Sequence, residues 1–533
     1  MAFSFSEFNS LIKNKKFQII FLGLVALIVR IYYLTITSGQ TMWWDEAEYM
    51  SAAKHWALSV PYDINPQRPP LFQLLASFLL RIGFEEIALK FLLVVVPSIA
   101  LVIAVYYLGK ELHGHKIGIF SATATAFVWS LLFWSVRFQP DFLSVFFQLL
   151  ACIFFWKLIK TENSKYAIYT GIFVAVGFYF KISALLIPLS FIIFAIYYDG
   201  WKLIKKKNYW IILGVFAICM GPFMIWQAIN FGNPLAFAPS YSGSFNEGRS
   251  LGWMTLNFFY SFKNPQYSFP KLIMFILFLF GIGAALGRNL LSIDLAIKNK
   301  KLRKDPSVFS IIILLVVASF YIFYIKGTIE DRWVFLLIPF IFFFAASSIS
   351  LIYKYFERHS KIIAVIVVCG IFIAFLVPQI NHANALIKNK IDSYAPVKES
   401  SILIKQNSDP SDKILSVSYT QTTAYAEREV ITYSDLPIEN FTNILLNEKP
   451  KFVIASILEP HHPTWMVKQV QNEQGFYGIF FPYFNSTIVV SPQNQIVEFD
   501  IKKQVVHEDA VFTLIYPFGD GFGGLVAYRI DYT

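Results

Sequence analysis

What this chain lacks narrows its class. Only 15% of its 533 residues are charged, against the quarter or so usual in soluble domains. Cysteine is scarce: Cys152, Cys219 and Cys369 are the only three, and each sits inside an apolar run, where it cannot staple an external domain. The first apolar run, from Phe17, follows Lys13, Lys15 and Lys16 and is broken by Arg30. No small-residue cleavage site follows it, so it reads as an uncleaved signal anchor. There is no internal repeat and no low-complexity segment. The glycine cluster at 519–524 has neither the lysine nor the following helix of a phosphate loop, and reads as a turn.

What is present is apolar: 56% hydrophobic, 18% aromatic and a mean hydropathy of +0.54. Runs of about twenty apolar residues, long enough to cross ~30 Å of hydrocarbon, recur through the first ~380 residues. They predict about eleven spans, near 17–37, 87–108, 117–136, 141–160, 166–181, 182–199, 209–228, 271–288, 307–326, 333–353 and 362–379. The net charge of +11 is no sign of nucleic acid, because lysine and arginine collect in alternate loops, by about two to one. That bias sets the N-terminus in the cytoplasm and implies a multi-pass protein of the plasma membrane. An odd number of spans then leaves the tail outside. The expected fold is a polytopic α-helical membrane domain (1–379, with a first external loop at 38–86) followed by an extracytoplasmic soluble domain (380–533). Short β-rich segments beginning at Lys413, Glu429, Lys451 and Thr487 alternate with polar helical stretches such as 396–407, so that domain is mixed α/β.

Under this topology five polar groups share one face of the membrane. They are Asp45-Glu46 (with Glu48) after the first span, Arg68 in Arg-Pro-Pro, Arg137 with Asp141 in a short hinge, Lys181 between two spans, and Lys326 through Glu330-Asp331-Arg332. Each has a plain structural reading: helix-capping acids, a snorkelling arginine, an i,i+4 ion pair between Arg137 and Asp141, a span-end lysine, loop polarity. Convergence of acids and bases from distant parts of the chain favours chemistry instead. A carboxylate can take the proton of an attacking hydroxyl while cations stabilise a departing phosphate. The His113-Gly114-His115 and His461-His462 pairs read as solvated loops, and the Tyr- and Trp-rich stretch 241–260 as an aromatic belt or a lipid or sugar contact.

At these residues the chain resembles the C superfamily of membrane glycosyltransferases, on the branch of protein O-mannosyltransferases and lipid A aminoarabinose transferases. The matching residues are Trp44-Asp45-Glu46, Arg68-Pro69-Pro70-Leu71, Arg137…Pro140-Asp141, Gly177 to Lys181 leading to Pro188, and Asp331-Arg332-Trp333…Pro339. The doubled tryptophan at 43–44 is the form associated with archaeal members. The resemblance implies inverting transfer of mannose, another hexose or a modified pentose from a polyprenyl-phosphate donor. The acceptor would be a hydroxyl on a protein or glycolipid outside the cytoplasm. It implies Asp45 as catalytic base, with Glu46 and Asp141 as further catalytic acids, and Arg68, Arg137, Lys181 and Arg332 around the donor phosphate. It implies no metal site, and leaves a divalent cation open. One departure bears on the acceptor: Glu48 stands where bacterial lipid A relatives have arginine. Residues 380–533 lack the Trp-Trp-Asp that the related oligosaccharyltransferases carry there, which argues against oligosaccharide transfer. The rival reading is a transporter or flippase of a lipid-linked anion, which would show paired repeats and broken midplane helices.

Overall fold

In the computed structural model the described residues are 14–238, 272–292, 303–324, 330–459, 461–471, 475–491, 496–507, 510–517 and 524–533. Lys326, the 241–260 stretch and glycines 519–523 lie outside them. Contacts divide the chain into two compact units, one holding Met1–Thr35, Asn65–Phe72 and Ile87–Lys388, the other Ile36–Ile64, Gln73–Glu86 and Asn389–Thr533.

The first unit is helical. Its elements are α1 (Lys15–Ile36), then, past α2 (Trp44–Leu58) and α3 (Leu71–Arg81), α4 (Glu86–His113), α5 (His115–Phe127), α6 (Trp129–Trp134), α7 (Asp141–Thr161), α8 (Ser164–Phe180), α9 (Leu186–Asp199), α10 (Lys207–Phe231), α11 (Leu272–Leu291), α12 (Pro306–Tyr324), α13 (Leu337–Glu357) and α14 (Lys361–Asn389). Eight helices among the described residues are long and apolar enough to cross a membrane. Outer faces carry exposed Ile28, Ile218 and Ile366, as a lipid-facing surface does. Several polar groups inside the bundle find partners there. Arg30 is fully buried, its Nε donating to Ser98 Oγ at 2.8 Å and its Nη1 to the carbonyls of Ala26 and Ala126 at 3.2 Å. The apolar run at 117–136 is broken where Val128 turns extended, and the N–H of Trp129 is taken by Gln379 Oε1 at 3.0 Å. At Gly281 a Cβ would stand 2.1 Å from the Phe344 carbonyl oxygen, so α11 and α13 meet at a distance only glycine allows.

The second unit joins most of the first loop to the C-terminal domain. Here α2 (Trp44–Leu58) packs on α16 (Tyr419–Ala426), while α3 (Leu71–Arg81) begins in one unit and runs into the other. Ser51 Oγ donates to the Thr420 carbonyl at 2.9 Å, Lys54 Nζ to the Ala424 carbonyl and Glu427 Oε1 at 2.7 Å, and the Met42 amide to Tyr425 Oη at 2.8 Å. The domain itself has α15 (Ala395–Gln406), α17 (Ile438–Glu448) and two sheets. The six-stranded one runs β2 (Glu429–Ile431), β1 (Lys413–Ser416), β3 (Phe452–Ser456), β10 (Leu525–Tyr532), β9 (Ala510–Tyr516), β8 (Gln504–His507). In it β1 is parallel to both neighbours and the remaining pairs are antiparallel. The other is an antiparallel meander of β4 (Lys468–Gln471), β5 (Tyr477–Phe481), β6 (Ser486–Val490) and β7 (Ile496–Asp500). Leu415, Val453, Phe484, Phe512 and Tyr528 fill one core, and Val397, Ile404, Ile414 and Phe452 the other.

Glu459 is buried in this domain, accepting from Gln421 Nε2 at 3.1 Å, and burial pushes its carboxyl from 4.5 up to about 7. Between those values the folded chain keeps a proton that the unfolded chain releases. Stability therefore falls as pH rises from about 4.5 to about 7, by at most about 3 kcal/mol. Glu459→Gln keeps the acceptor oxygen and should flatten the decline of the thermal midpoint over this range. A decline as steep as wild type would show that another group titrates.

Candidate functional site

Each site residue has a local reason for its place. Asp45 is the second residue of α2, half-buried at a helix N-terminus that favours a carboxylate. Glu46, one residue on, is buried and turned back on the chain: its Oε1 accepts the Trp43 amide at 3.4 Å, closing the helix start as a capping box does. Asp45 is thus the carboxylate of the pair that is not engaged in that cap. Beside it Trp44 meets Tyr419 edge-on at 5.0 Å, and Tyr62 stacks on the same tyrosine at 6.5 Å.

In the helical unit, Asp141 opens α7 and Lys181 ends α8. Lys181 takes an extended backbone (φ −156°, ψ 131°) that stops the helix, and a 3-10 turn over Ile182–Leu185 leads into α9. Its ammonium makes an ion pair with Asp141, whose side chain is 6% exposed. The helical i,i+4 pairing of Asp141 with Arg137 is therefore corrected: the partner lies forty residues downstream. The reason is the hinge, where Pro140 starts α7 and leaves Arg137 in the preceding turn, its amide bonded to the Trp134 carbonyl at 3.0 Å and its guanidinium 5.2 Å from the Phe133 ring.

Arg332 lies in the short turn Asp331–Val334 ahead of α13. It is held by Glu330 and by Gln139, and its guanidinium sits 5.0 Å from the Trp134 ring. The same indole donates to Asp331 at 2.8 Å, and burial raises the Asp331 carboxyl to about 7 despite that hydrogen bond.

Asp141, Lys181 and Arg332 line one narrow pocket of about 10 Å³, room for about one water, together with Ser144, Gln148, Ser183, Tyr321 and Trp333. Ser144 donates to the Gly177 carbonyl at 2.9 Å and receives Gln148 at 2.9 Å, which fixes the wall between α7 and α8. Its two cations are each paired with a carboxylate, Lys181 with Asp141 and Arg332 with Glu330. Leu186 is shared with a second, apolar groove of about 510 Å³, lined by Leu189 and Ile193 of α9 and Ile312, Leu315 and Phe320 of α12. Arg68 and Arg137 line neither. Arg68 stands in the turn before α3, its amide bonded to the Asn65 carbonyl at 3.1 Å, next to Pro66, whose carbonyl accepts from Gln227 at 2.9 Å. Asp45 and Glu46 belong to the second unit. Of the pocket's uncharged members, Ser144, Gln148 and Tyr321 escaped the sequence reading, because serine, glutamine and tyrosine inside apolar helices give no motif. The histidines prove local: His113 packs on Phe343 and Phe344, His115 bonds Gln18 at 3.0 Å, and exposed His461 meets Asp435 at 3.3 Å. Among the described residues no three of His, Cys, Asp and Glu converge as metal ligands.

Residues 67–226 match the family described as dolichyl-phosphate-mannose-protein mannosyltransferase. No curated protein sequence matches the chain. Among solved structures, an apo oligosaccharyltransferase of Archaeoglobus fulgidus is 12% identical over 89% of this chain and 76% of its own, with a TM-score of 0.59. Its complex with an inhibitory peptide and a dolichol-phosphate gives 13% over 89% and 76%, with a TM-score of 0.57. ArnT from Cupriavidus metallidurans bound to undecaprenyl phosphate is 12% identical over 85% of this chain and 96% of its own, at a TM-score of 0.59. These matches show that the chain shares its fold, a polytopic helical bundle with a β-rich C-terminal domain, with these membrane transferases.

Proposed function

We propose that this protein transfers a sugar, mannose or a related hexose or pentose, from a polyprenyl-phosphate carrier to a hydroxyl of a protein or glycolipid outside the cytoplasm. The observation that carries the reading is that the pocket holding Lys181 and Arg332 shares the wall residue Leu186 with an apolar groove between α9 and α12. A phosphate on a long hydrocarbon tail asks for those two surfaces side by side, and neither a nucleotide sugar nor a free sugar does. The lipid phosphates bound by the two superfamily structures agree with it.

In this reading the donor phosphate draws Lys181 away from Asp141 and shares the guanidinium of Arg332, which Gln139 and Trp134 already orient. Both cations gain as negative charge grows on the leaving phosphate, which is where such contacts speed a reaction. Asp45, with Glu46 occupied in the cap, takes the proton of the acceptor hydroxyl. The hydroxyl oxygen bonds to the anomeric carbon, the carbon–oxygen bond to phosphate breaks, and the configuration inverts.

Purified protein incubated with radiolabelled polyprenyl-phosphate hexose and fractionated membrane acceptors should move label into the protein or the glycolipid fraction. Label that stays on the carrier with every acceptor fraction would overturn the reading.

A further inference from the structure

At the other end of α13 from Arg332, roughly 30 Å along the 21-residue helix, is a second cavity, of about 570 Å³. The charge bias of the loops puts this end on the cytoplasmic side. Three basic side chains from three segments line it: Arg288 of α11, Lys304 of the turn before α12 and Lys354 of α13. The positive-inside bias explains basic residues at this end, but not their meeting around one hollow. One carboxylate, Asp305, shares the cavity, and it already accepts the Ser307 amide at 2.7 Å at the start of α12 as well as Arg288 Nη2 at 3.2 Å. Among the described residues neither Lys304 nor Lys354 has an acidic partner. Ser307 Oγ accepts from Arg288 at 3.0 Å, and Ser350 adds another hydroxyl to the lining. Three cations against one committed carboxylate leave two positive charges without an anion.

We infer that this cavity is a binding site for the phosphate headgroup of an anionic lipid of the inner leaflet. The lipid source is favoured by the wall. Leu351, itself a lining residue, is 47% exposed and Leu290 of α11 is 66% exposed, so apolar surface for acyl chains flanks the cationic hollow. A soluble phosphate would have no use for that surface. The inference stands apart from the transfer chemistry, since none of these residues belongs to the site at the other end of α13.

The test follows thermal unfolding of the purified full chain in zwitterionic detergent during titration with phosphatidylglycerol, phosphatidylcholine or inorganic phosphate. Phosphatidylglycerol should raise the midpoint in a saturable way, as a ligand of the folded state does, and the other two should not. Arg288→Gln and Lys354→Gln, at exposed positions that tolerate substitution, should each raise the concentration for half-effect about fivefold. Equal responses to the two lipids, or an R288Q/K354Q double variant that titrates like wild type, would overturn the site. A response to inorganic phosphate matching that of phosphatidylglycerol would overturn the lipid assignment and leave an anion site.

Discussion

Asp45→Asn should abolish sugar transfer while leaving the fold and donor binding close to wild type. The amide keeps the size of the carboxylate at the second position of α2 and cannot accept a proton, and losing a general base costs on the order of 10²–10⁴-fold in rate. Glu46→Gln supplies the contrast. Its oxygen can still accept the Trp43 amide, so most activity should survive. Donor binding, followed by retention of labelled polyprenyl phosphate on the protein, should be unchanged in both. Turnover of Asp45→Asn near the wild-type rate would remove Asp45 from the base role.

The second large effect is expected at Arg332. Arg332→Gln removes a charge-assisted donor from a water-poor pocket, where one such contact is worth on the order of 10²–10³ in kcat. Because the phosphate carries charge before and after the bond breaks, donor affinity should fall as well, so kcat and KM move together. Arg332→Lys should recover only part of the loss, because an ammonium cannot reproduce the planar fork that Gln139 and Trp134 hold in place. Arg68→Gln, outside the pocket, should cost less than Arg332→Gln. Steady-state kinetics on the three variants decides this, and an Arg332→Gln enzyme with wild-type kcat would contradict the assignment.

The helical part of the fold was open to sequence reading because a run of twenty apolar residues has few other fates. The expected spans fall on helix in the described residues, but eight of those helices, against the eleven expected, are long and apolar enough to cross a membrane. The break at Val128 was hidden, since the residue that satisfies the freed Trp129 amide, Gln379, is 250 positions away. The same distance problem governs the site. Asp141 and Lys181 stood out as charges at span ends, but local spacing offered only Arg137 as a partner for Asp141. Only the packing of α7 against α8 shows that Lys181 takes the role. Asp45 was legible as a costly interfacial acid, and the division of labour with Glu46 was not, because it depends on which way one side chain turns. Nor did any motif in the first loop announce that α2 packs on α16: Ser51 and Lys54 find their partners about 370 residues downstream. Short strands beginning near Lys413, Glu429 and Lys451 could be read from β-rich runs, whereas their order in the sheet, with β10 inserted between β3 and β9, is a long-range fact.

The central claim is that the sugar comes from a lipid phosphate. The most direct measurement gives the purified protein two donors at once, a polyprenyl-phosphate hexose carrying one radiolabel and a nucleotide hexose carrying another, with acceptor present and no other enzyme. The pocket at Asp141, Lys181 and Arg332, with an apolar groove on the other side of Leu186, predicts that only the lipid-borne label reaches the acceptor, with release of free polyprenyl phosphate. Transfer of the nucleotide-borne label in the absence of a lipid carrier would contradict it.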